Sequence, residues 1–230
     1  MAVNFEQIAD NKSISIQDLI PGTTEGLTGN TAAANADQIQ VYDPEKESYT
    51  VYSLYYTTLT LPALTAKNYK WVTAAGAIAD VKFSNGSVFW FRKQGENDVT
   101  INVSGAVSAV KQDITIVNGW NMIGSAFPAN FNPNALGTEY WKNSGAVGNT
   151  AAANADQIQI YNNDSGNYTI YSLYYTTLTL PALTAKNWKW VNASGTPIED
   201  MAEVISVGKG AWYRHQGSGF TLSINSPISK

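Results

Sequence analysis

Polar and apolar residues alternate along several short segments of the chain, which is the pattern of a half-buried β-strand. In residues 156–161 the alternation places Ile158 and Ile160 on one face, toward a core, and polar side chains on the other face. A polar loop over residues 162–167 then leads into a second strand-like segment, residues 168–175. This order predicts a β-hairpin.

The same pattern predicts further strands and leaves little room for helices. Asn118 and Gly119 favour the positive φ angles of a type I′ turn, so we predict a second hairpin over residues 114–124. Ser15 and Asp18 have the spacing of a helix capping box. The other predicted elements are strands at residues 186–192, 211–216 and 220–225, and short helical turns at residues 15–19 and 132–136.

An internal duplication organises the chain. Residues 29–72 recur without a gap as residues 148–191, an offset of 119 positions, and 35 of these 44 positions are identical. Six of the nine differences fall in the predicted hairpin loop, residues 43–48 against residues 162–167. With strand-like segments in both copies, the duplication predicts an all-β protein of two tandem β-sandwich (or small barrel) units. The predicted bounds of the two units are residues 1–110 and 111–230.

The first predicted unit begins one strand late. The offset of 119 places Trp120 opposite Met1, so the segment at residues 114–117 has no counterpart in the first unit. A vacant strand position exposes unpaired backbone groups, which natural sheets cover, pair or charge. Three arrangements meet this need: residues 1–5 fill part of the gap, the first sheet is shorter, or residues 220–230 of a neighbouring subunit add a strand.

Composition narrows the range of functions. Only 14% of the residues are charged and the net charge is -4, against about 25% charged residues in an ordinary soluble domain. A phosphate-binding surface and a nucleic-acid partner are therefore not expected. The absence of cysteine excludes disulfides, thiolate metal sites and a cysteine nucleophile, and the single histidine argues against a multi-histidine metal site. No long apolar run is present, so membrane insertion is not expected.

We predict no catalytic residue, no cofactor and no metal site. No serine lies in a nucleophile elbow, no glycine-rich loop precedes a helix, and no carboxylates form an obvious pair in the sequence. The oxygen-rich loop at residues 162–167 lacks EF-hand spacing, so a plain hairpin turn is the expectation and calcium binding the alternative. His215 is expected on the surface, and Asp37 and Asp156 are expected to cap turns.

Aromatic residues supply the candidate contact sites. Tyr69 and Trp71, and their copies Trp188 and Trp190, flank a lysine, so each pair is expected to place two rings on one face of a strand. On an exposed face the rings would form a stacking platform of the kind that binds sugars. On a buried face they would belong to the core.

A tyrosine-rich strand in each copy is a second candidate contact surface. Its tyrosines fall on both faces of the strand, so at least one face should present phenol groups outward, as a contact surface or as a solvated face. Trp90 and Trp212, each close to an arginine, are expected in the core. The candidate tyrosines are Tyr52, Tyr56, Tyr171 and Tyr175.

Three segments resemble a known class of protein. They are residues 119–124 (Gly-Trp-Asn-Met-Ile-Gly), residues 155–159 and the Gly-x-Gly-x-Trp-Tyr segment at residues 208–213. They resemble the β-rich repeat domains of secreted bacterial surface proteins, in which a Gly-Trp-Asn-aliphatic strand opens each unit. The resemblance implies an exported β-rich module without a catalytic residue. The first unit departs from it because it lacks the Gly-Trp-Asn element.

These features together predict a non-enzymatic structural protein that is extracellular or located at the cell surface. We expect it to partner with itself, as a subunit that assembles into a surface layer or filament through strand edges and tyrosine- and threonine-rich faces. The alternative is a carbohydrate-binding module whose aromatic pairs stack on glycans. The low charge favours association, because few lysines are present to keep sheet edges apart.

Overall fold

The computed structural model describes residues 13–84, 86–101, 107–198 and 204–227. These residues form thirteen strands and four short helices, so the predicted β-rich fold is confirmed. The strands are β1 (Ile14–Ser15), β2 (Gln38–Asp43), β3 (Ser48–Tyr55), β4 (Lys70–Val72), β5 (Lys82–Phe83), β6 (Trp90–Arg92), β7 (Gln112–Ile116), β8 (Gly119–Gly124), β9 (Gln157–Asn162), β10 (Asn167–Tyr174), β11 (Lys189–Val191), β12 (Gly210–His215) and β13 (Phe220–Ile224). The helices are α1 (Ile16–Leu19), α2 (Pro62–Thr65), α3 (Thr138–Ser144) and α4 (Pro181–Thr184), with 3₁₀ turns at Ala33–Asn35, Pro133–Leu136 and Ala152–Asn154.

All strand pairs in the described residues are antiparallel and form four sheets. The first larger sheet has the order β4-β3-β2-β6, and the second has the order β11-β10-β9-β12-β8. Two smaller sheets pair β1 with β5 and β13 with β7. The helices are single turns or little more, and proline at the first position of α2 and of α4 starts each of them.

The duplicated segments adopt the same strand pairing. In the first copy Asp43 pairs with Ser48, and in the second copy Asn162 pairs with Asn167. The predicted hairpin at residues 156–175 is therefore confirmed. Asn162 Oδ1 accepts hydrogen bonds from the backbone N–H groups of Asp164 and Ser165, which is the geometry of a side-chain-stabilised turn.

The hairpin predicted at Asn118 and Gly119 is wrong. β7 pairs with β13 and β8 pairs with β12, so the chain passes from one sheet to another at this corner. Gly119 does have a positive φ of 88°. The side chain of Asn121 holds the corner, because it accepts from Val117 N at 2.9 Å and donates to Val117 O at 2.8 Å.

Two clusters of buried residues form the core, one in each half of the described chain. In the first half Trp71 is fully buried and its indole N–H donates to Ile20 O at 2.6 Å, which ties β4 to the end of α1. In the second half Trp141 of α3 is fully buried and donates to Pro133 O at 2.7 Å. The capping box predicted at α1 is found in part: Ser15 Oγ accepts from the backbone N–H of Asp18 and donates to Asp18 Oδ2 at 2.6 Å. Helix α3 was not predicted.

The C-terminal strand is paired within its own chain. Phe220 pairs with Ile116 and Ile224 with Gln112, so β13 is not free to add to a neighbouring subunit in this structure. Residues 1–5, which were one candidate for the vacant strand position, lie outside the described residues, as do residues 228–230. Within the described part of the chain, β6 pairs on one side only, with β2.

Within the described ranges, every helix is too short or too polar to cross a bilayer.

Candidate functional site

The two halves of the chain meet through aromatic rings on the larger sheets. Trp212 of β12 packs edge-on against Tyr42 of β2, with ring centroids 4.9 Å apart. In the reciprocal contact, Trp90 of β6 packs edge-on against Tyr161 of β9 at 5.6 Å. Tyr42 and Tyr161 are equivalent positions of the duplication. Each half therefore offers a tryptophan to the other half's tyrosine, which is the contact pattern of an isologous dimer.

Two further tyrosines extend this contact, which we call the aromatic junction. Tyr49 lies across β2 and β3 from Tyr42, and Tyr168 lies across β9 and β10 from Tyr161; both pairs have centroids 5.2 Å apart. The expectation that the two tryptophans are core residues was wrong, because both are only half-buried. The aromatic junction consists of Tyr42, Tyr49, Trp90, Tyr161, Tyr168 and Trp212.

The predicted pairing of Tyr69 with Trp71, and of Trp188 with Trp190, on one strand face is not found. Trp71 and Trp190 have no exposed surface and belong to the two core clusters. Tyr69 and Trp188 precede β4 and β11 and have a φ of 60°, so the backbone turns them away from the buried rings. This conformation is costly for an aromatic residue and occurs in both copies.

Tyr69 and Trp188 instead contact two of the candidate tyrosines. The rings of Tyr56 and Tyr69 are 5.1 Å apart, and those of Tyr175 and Trp188 are stacked at 4.6 Å with an interplanar angle of 30°. Desolvation, followed by the neighbouring Tyr56, raises the pKa of Tyr69. Gly148 lies under the second pair, where an added Cβ would meet the Cβ of Tyr175 at 2.6 Å. Each copy thus presents a pair of rings at its surface.

The other two candidate tyrosines serve the core. Tyr52 of β3 and Tyr171 of β10 are half-buried and pack against the first and second core clusters. Burial raises the pKa of Tyr52. Of the eight candidate aromatic residues, only Tyr69 is exposed. Tyr56, Tyr175 and Trp188 are half-buried, and Trp188 also packs against the second core cluster.

The two ring pairs, Tyr56 with Tyr69 and Tyr175 with Trp188, lie at the ends of a repeated loop. We call it the Leu loop, residues 56–69 in the first copy and residues 175–188 in the second. Thirteen of its fourteen residues are identical between the copies. Asn68 closes the first loop, since its Oδ1 accepts from Thr57 N at 2.9 Å and its Nδ2 donates to Thr57 O at 3.0 Å. Asn187 makes the same two bonds to Thr176. The loop is therefore held in one conformation although it projects from the sheet.

The Leu loop exposes apolar side chains in both copies. Leu59 and Leu61 are 56% and 61% exposed, and Leu178 and Leu180 are 57% and 60% exposed. The leucines lie between the two rings in sequence and carry no charged neighbour until Lys67 or Lys186. Exposed apolar groups concentrated in one segment are typical of interaction sites. The leucines were not predicted as contact residues, because the predictions rested on strand alternation and on aromatic residues. The repeated Thr-Leu-Thr-Leu-Pro segment is nevertheless visible in the sequence.

A buried aspartate lies directly before one strand of each larger sheet: Asp37 before β2 and Asp156 before β9. In the second half Asp156 is fully buried and accepts from the backbone N–H of Gln216 at 2.8 Å and from Tyr213 OH at 2.8 Å. His215 Nδ1 lies 2.9 Å from Asp156 Oδ2, and His215 Nε2 accepts from Gly219 N at 3.1 Å. The expectation that His215 is a surface residue was wrong.

The equivalent carboxylate in the first half is Asp37, which is also fully buried. It accepts from the backbone N–H groups of Thr28 and Gln94, and Lys93 Nζ lies 3.6 Å away. Each aspartate therefore links segments that are distant in sequence rather than capping a local turn. This corrects the sequence-based expectation. Both ring nitrogens of His215 are engaged and buried, so the Asp156–His215 pair is placed to hold the fold together rather than to meet a substrate.

In the portions of the chain that the structure describes, no cluster of three or more histidine, cysteine, aspartate or glutamate side chains is arranged to hold a metal ion. Comparison with protein-family models, with curated proteins and with solved structures finds no match for this chain. The function is therefore argued from the surface features above.

Proposed function

We propose that this protein is a non-enzymatic structural subunit that works outside the cell or at its surface and associates with further copies of itself through the Leu loops. The observation that carries the proposal is the presence of two nearly identical loops on one chain, each exposing two leucines by more than half. Single exposed leucines are ordinary in soluble proteins, but the same fixed apolar loop presented twice favours a repeated contact.

The number of loops determines the kind of assembly. A Leu loop that packs against the Leu loop of another copy forms an isologous contact, and one such contact per chain would stop at a dimer. Because each chain carries two loops, the second loop remains available to bind a further copy. Chains linked in this way extend into a filament or a layer.

Light scattering after size-exclusion chromatography, together with negative-stain electron microscopy of the full chain, tests this valence. We expect wild-type protein to form species larger than dimers at high concentration. Replacing Leu59 and Leu61 by serine should limit association to dimers. Replacing Leu178 and Leu180 as well should leave monomers.

Matched controls come from exposed apolar residues outside the loops. Val110 and Val207 are 66% and 48% exposed, so their replacement by serine removes exposed apolar surface without touching a Leu loop. This control should assemble as the wild type does. Wild-type protein that is monomeric at every concentration, or a four-leucine variant that still assembles, would overturn the proposal.

The proposal includes the finer description of the fold as two tandem β-sandwich units that arose by duplication. It is supported by the matched hairpins β2-β3 and β9-β10 and by the separate core cluster in each half. An extracellular location is the part of the proposal that rests on the resemblance to secreted surface repeat domains, and the low charge suits a protein built for contact.

The carbohydrate-binding alternative is supported at a different place from the one expected. Trp71 and Trp190 are buried, so the two expected platforms each retain one surface ring. A pocket beside the aromatic junction suits a sugar better than either of these reduced platforms, because several rings line one space there.

A further inference from the structure

A pocket of about 280 Å³ opens where the two halves meet, and we call it the junction pocket. Tyr42 comes from the first half, and the other four lining residues come from the second half. The junction pocket is lined by Tyr42, Trp120, Gln159, Tyr168 and Trp212. Its volume lies just below the range of about 300–1,000 Å³ found for drug-sized ligands, so it suits a single small ring.

The lining rings stand at angles to one another and leave accessible surface. Trp212 is edge-on to Tyr42 at 85° and to Trp120 at 76°, with centroids 4.9 Å and 5.9 Å apart. Trp120 is 36% exposed and Tyr168 is 42% exposed. The exposed parts of these two rings provide apolar surface against which a ligand can pack, while Trp212 is fixed by its neighbours.

The polar groups of the junction pocket are neutral. The two tyrosine hydroxyls, the two indole N–H groups and the amide of Gln159 are the polar groups of its lining side chains. Gln159 is itself oriented, because its Nε2 donates to Gln157 Oε1 at 2.8 Å. A neutral ligand with several hydroxyl groups can bond to such donors and acceptors, whereas an anion would find no cation among the lining side chains.

Two charged residues of opposite sign, Arg214 and Glu47, lie near the pocket. The Arg214 guanidinium lies 6.0 Å from the centre of the Trp120 ring. Glu47 lies near enough to Tyr42 to raise the pKa of that phenol, after the larger effect of desolvation, and its Oε1 would stand 3.7 Å from a Cβ added to Gly119. Aromatic cages that bind ammonium groups depend on ring faces that are free for the cation. Here the Arg214 guanidinium lies beside Trp120, so a cationic ligand in the pocket would meet a like charge, whereas a neutral ligand would not.

We propose that the junction pocket binds one neutral sugar ring. The C–H face of a pyranose packs on an aromatic ring, and its hydroxyls exchange hydrogen bonds with the Gln159 amide and the tyrosine hydroxyls. This site is separate from the Leu loops, so it does not depend on self-association. It also requires both halves of the chain, because Tyr42 closes one side.

Titration of the full-length protein with a panel of neutral monosaccharides and methyl glycosides, followed by tryptophan fluorescence and by calorimetry, tests the proposal. We expect saturable binding of at least one sugar. Tyr168→Ala should weaken that binding at least tenfold, and Trp120→Ala should do the same. Tyr168 is the safer variant because it is the more exposed of the two, and the melting temperature of each variant shows whether it has folded.

Trp188→Ala is the matched control, since it removes a half-buried indole outside the junction pocket and, once its melting temperature shows that it has folded, should leave sugar affinity within twofold of wild type. The proposal is overturned if no neutral sugar binds saturably, or if Trp188→Ala weakens binding as much as Tyr168→Ala. It is also overturned if tetramethylammonium binds and sugars do not, which would identify a cation cage. Loss of sugar binding with assembly intact would leave the self-association proposal standing.

Discussion

The indole ring of Trp212 packs edge-on against the phenol ring of Tyr42, with the centroids 4.9 Å apart, and so joins one half of the chain to the other. Trp90 makes the equivalent contact with Tyr161 in the opposite direction. Aromatic residues are enriched and charged residues depleted at the centre of protein interfaces. The charge-poor, tyrosine-rich strands of the duplicated segment therefore have a role within the chain, as the surface through which its two halves meet.

This reciprocity predicts similar costs for the two tryptophans. Trp90→Ala and Trp212→Ala should each lower the free energy of unfolding by about 1–3 kcal/mol, less than for a fully buried tryptophan because both rings are half-buried. Urea denaturation followed by circular dichroism measures the loss. Tyr69→Ala removes a ring that is 45% exposed and lies outside the aromatic junction, so it should cost less than either. A cost below about 0.5 kcal/mol for both junction variants would contradict a stabilising role for the contact.

A second prediction concerns the buried carboxylate of Asp156. Asp156→Asn replaces one accepting oxygen by an NH₂ group. In the Oδ1 position this group would face Gln216 N, and in the Oδ2 position it would face Val147 N and Tyr213 OH, so either orientation sets donor against donor. We expect a loss of about 2–4 kcal/mol in the free energy of unfolding. Asp164→Asn, in the exposed hairpin loop, is the matched control and should change stability by less than about 0.5 kcal/mol. Equal melting temperatures for the two variants would disprove the assigned role.

A third prediction concerns alkaline pH. Burial, followed by the charge of Asp156, raises the pKa of Tyr213 well above its usual value of 10.0. Above about pH 10 the unfolded chain releases this proton while the folded chain keeps it, so stability falls as pH rises, by up to about 1.4 kcal/mol per pH unit for one group. Below that pH both states hold the proton and the contribution is constant.

Tyr213→Phe tests this dependence with a residue that the chain itself uses, since Phe91 occupies the equivalent position of the first half. The variant loses the hydrogen bond to Asp156, at a cost of about 1 kcal/mol near neutral pH. Its stability should decline less steeply than that of wild type between pH 10 and pH 12, measured by urea denaturation at each pH. Parallel pH profiles for the two proteins would show that Tyr213 does not titrate as proposed.

A fourth prediction follows from the hydrogen bonds of His215. Because Gly219 N–H donates to Nε2, the ring carries its proton on Nδ1, where it donates to Asp156. Nitrogen-15 NMR of the imidazole should show a protonated Nδ1 and an unprotonated Nε2 at neutral pH. A proton found on Nε2 instead would require a different arrangement at the end of β12.

Sequence patterns predicted local elements better than distant contacts. The hairpin of β9 and β10 followed from alternation around a polar loop, because both strands and the turn are neighbours in sequence. Asn118 and Gly119 gave the same local signal, yet β7 and β8 find their partners in β13 and β12, about a hundred residues away. Local turn preference cannot reveal which distant strand competes for an edge.

The site was predicted in part. Aromatic residues were predicted as contact sites, but none of the eight candidates lines the junction pocket. Alternation also could not show that the backbone turns at Tyr69 and Trp188, which separates them from the buried Trp71 and Trp190. The burial of His215 was missed because a polar residue in an alternating strand ordinarily faces solvent. The signal that was available is the coincidence of Asp37 with Lys93 and of Asp156 with His215, a carboxylate matched to a basic residue in each copy.

The last prediction concerns the hydrogen bonds that hold the Leu loops. Asn187→Ala removes both bonds to the backbone of Thr176, so the second loop should open more often while the sheet beneath it stays folded. We expect hydrogen exchange at the Thr176 amide to become at least tenfold faster, with a smaller effect across β9 and β10. Asn163→Ala, in the exposed hairpin loop, is the control and should leave this rate unchanged.

If a fixed loop conformation is needed for contact between chains, Asn187→Ala should also weaken self-association, because the loop must then be ordered on binding. Unchanged exchange at Thr176 would show that the loop is held by Pro181 and by packing rather than by Asn187.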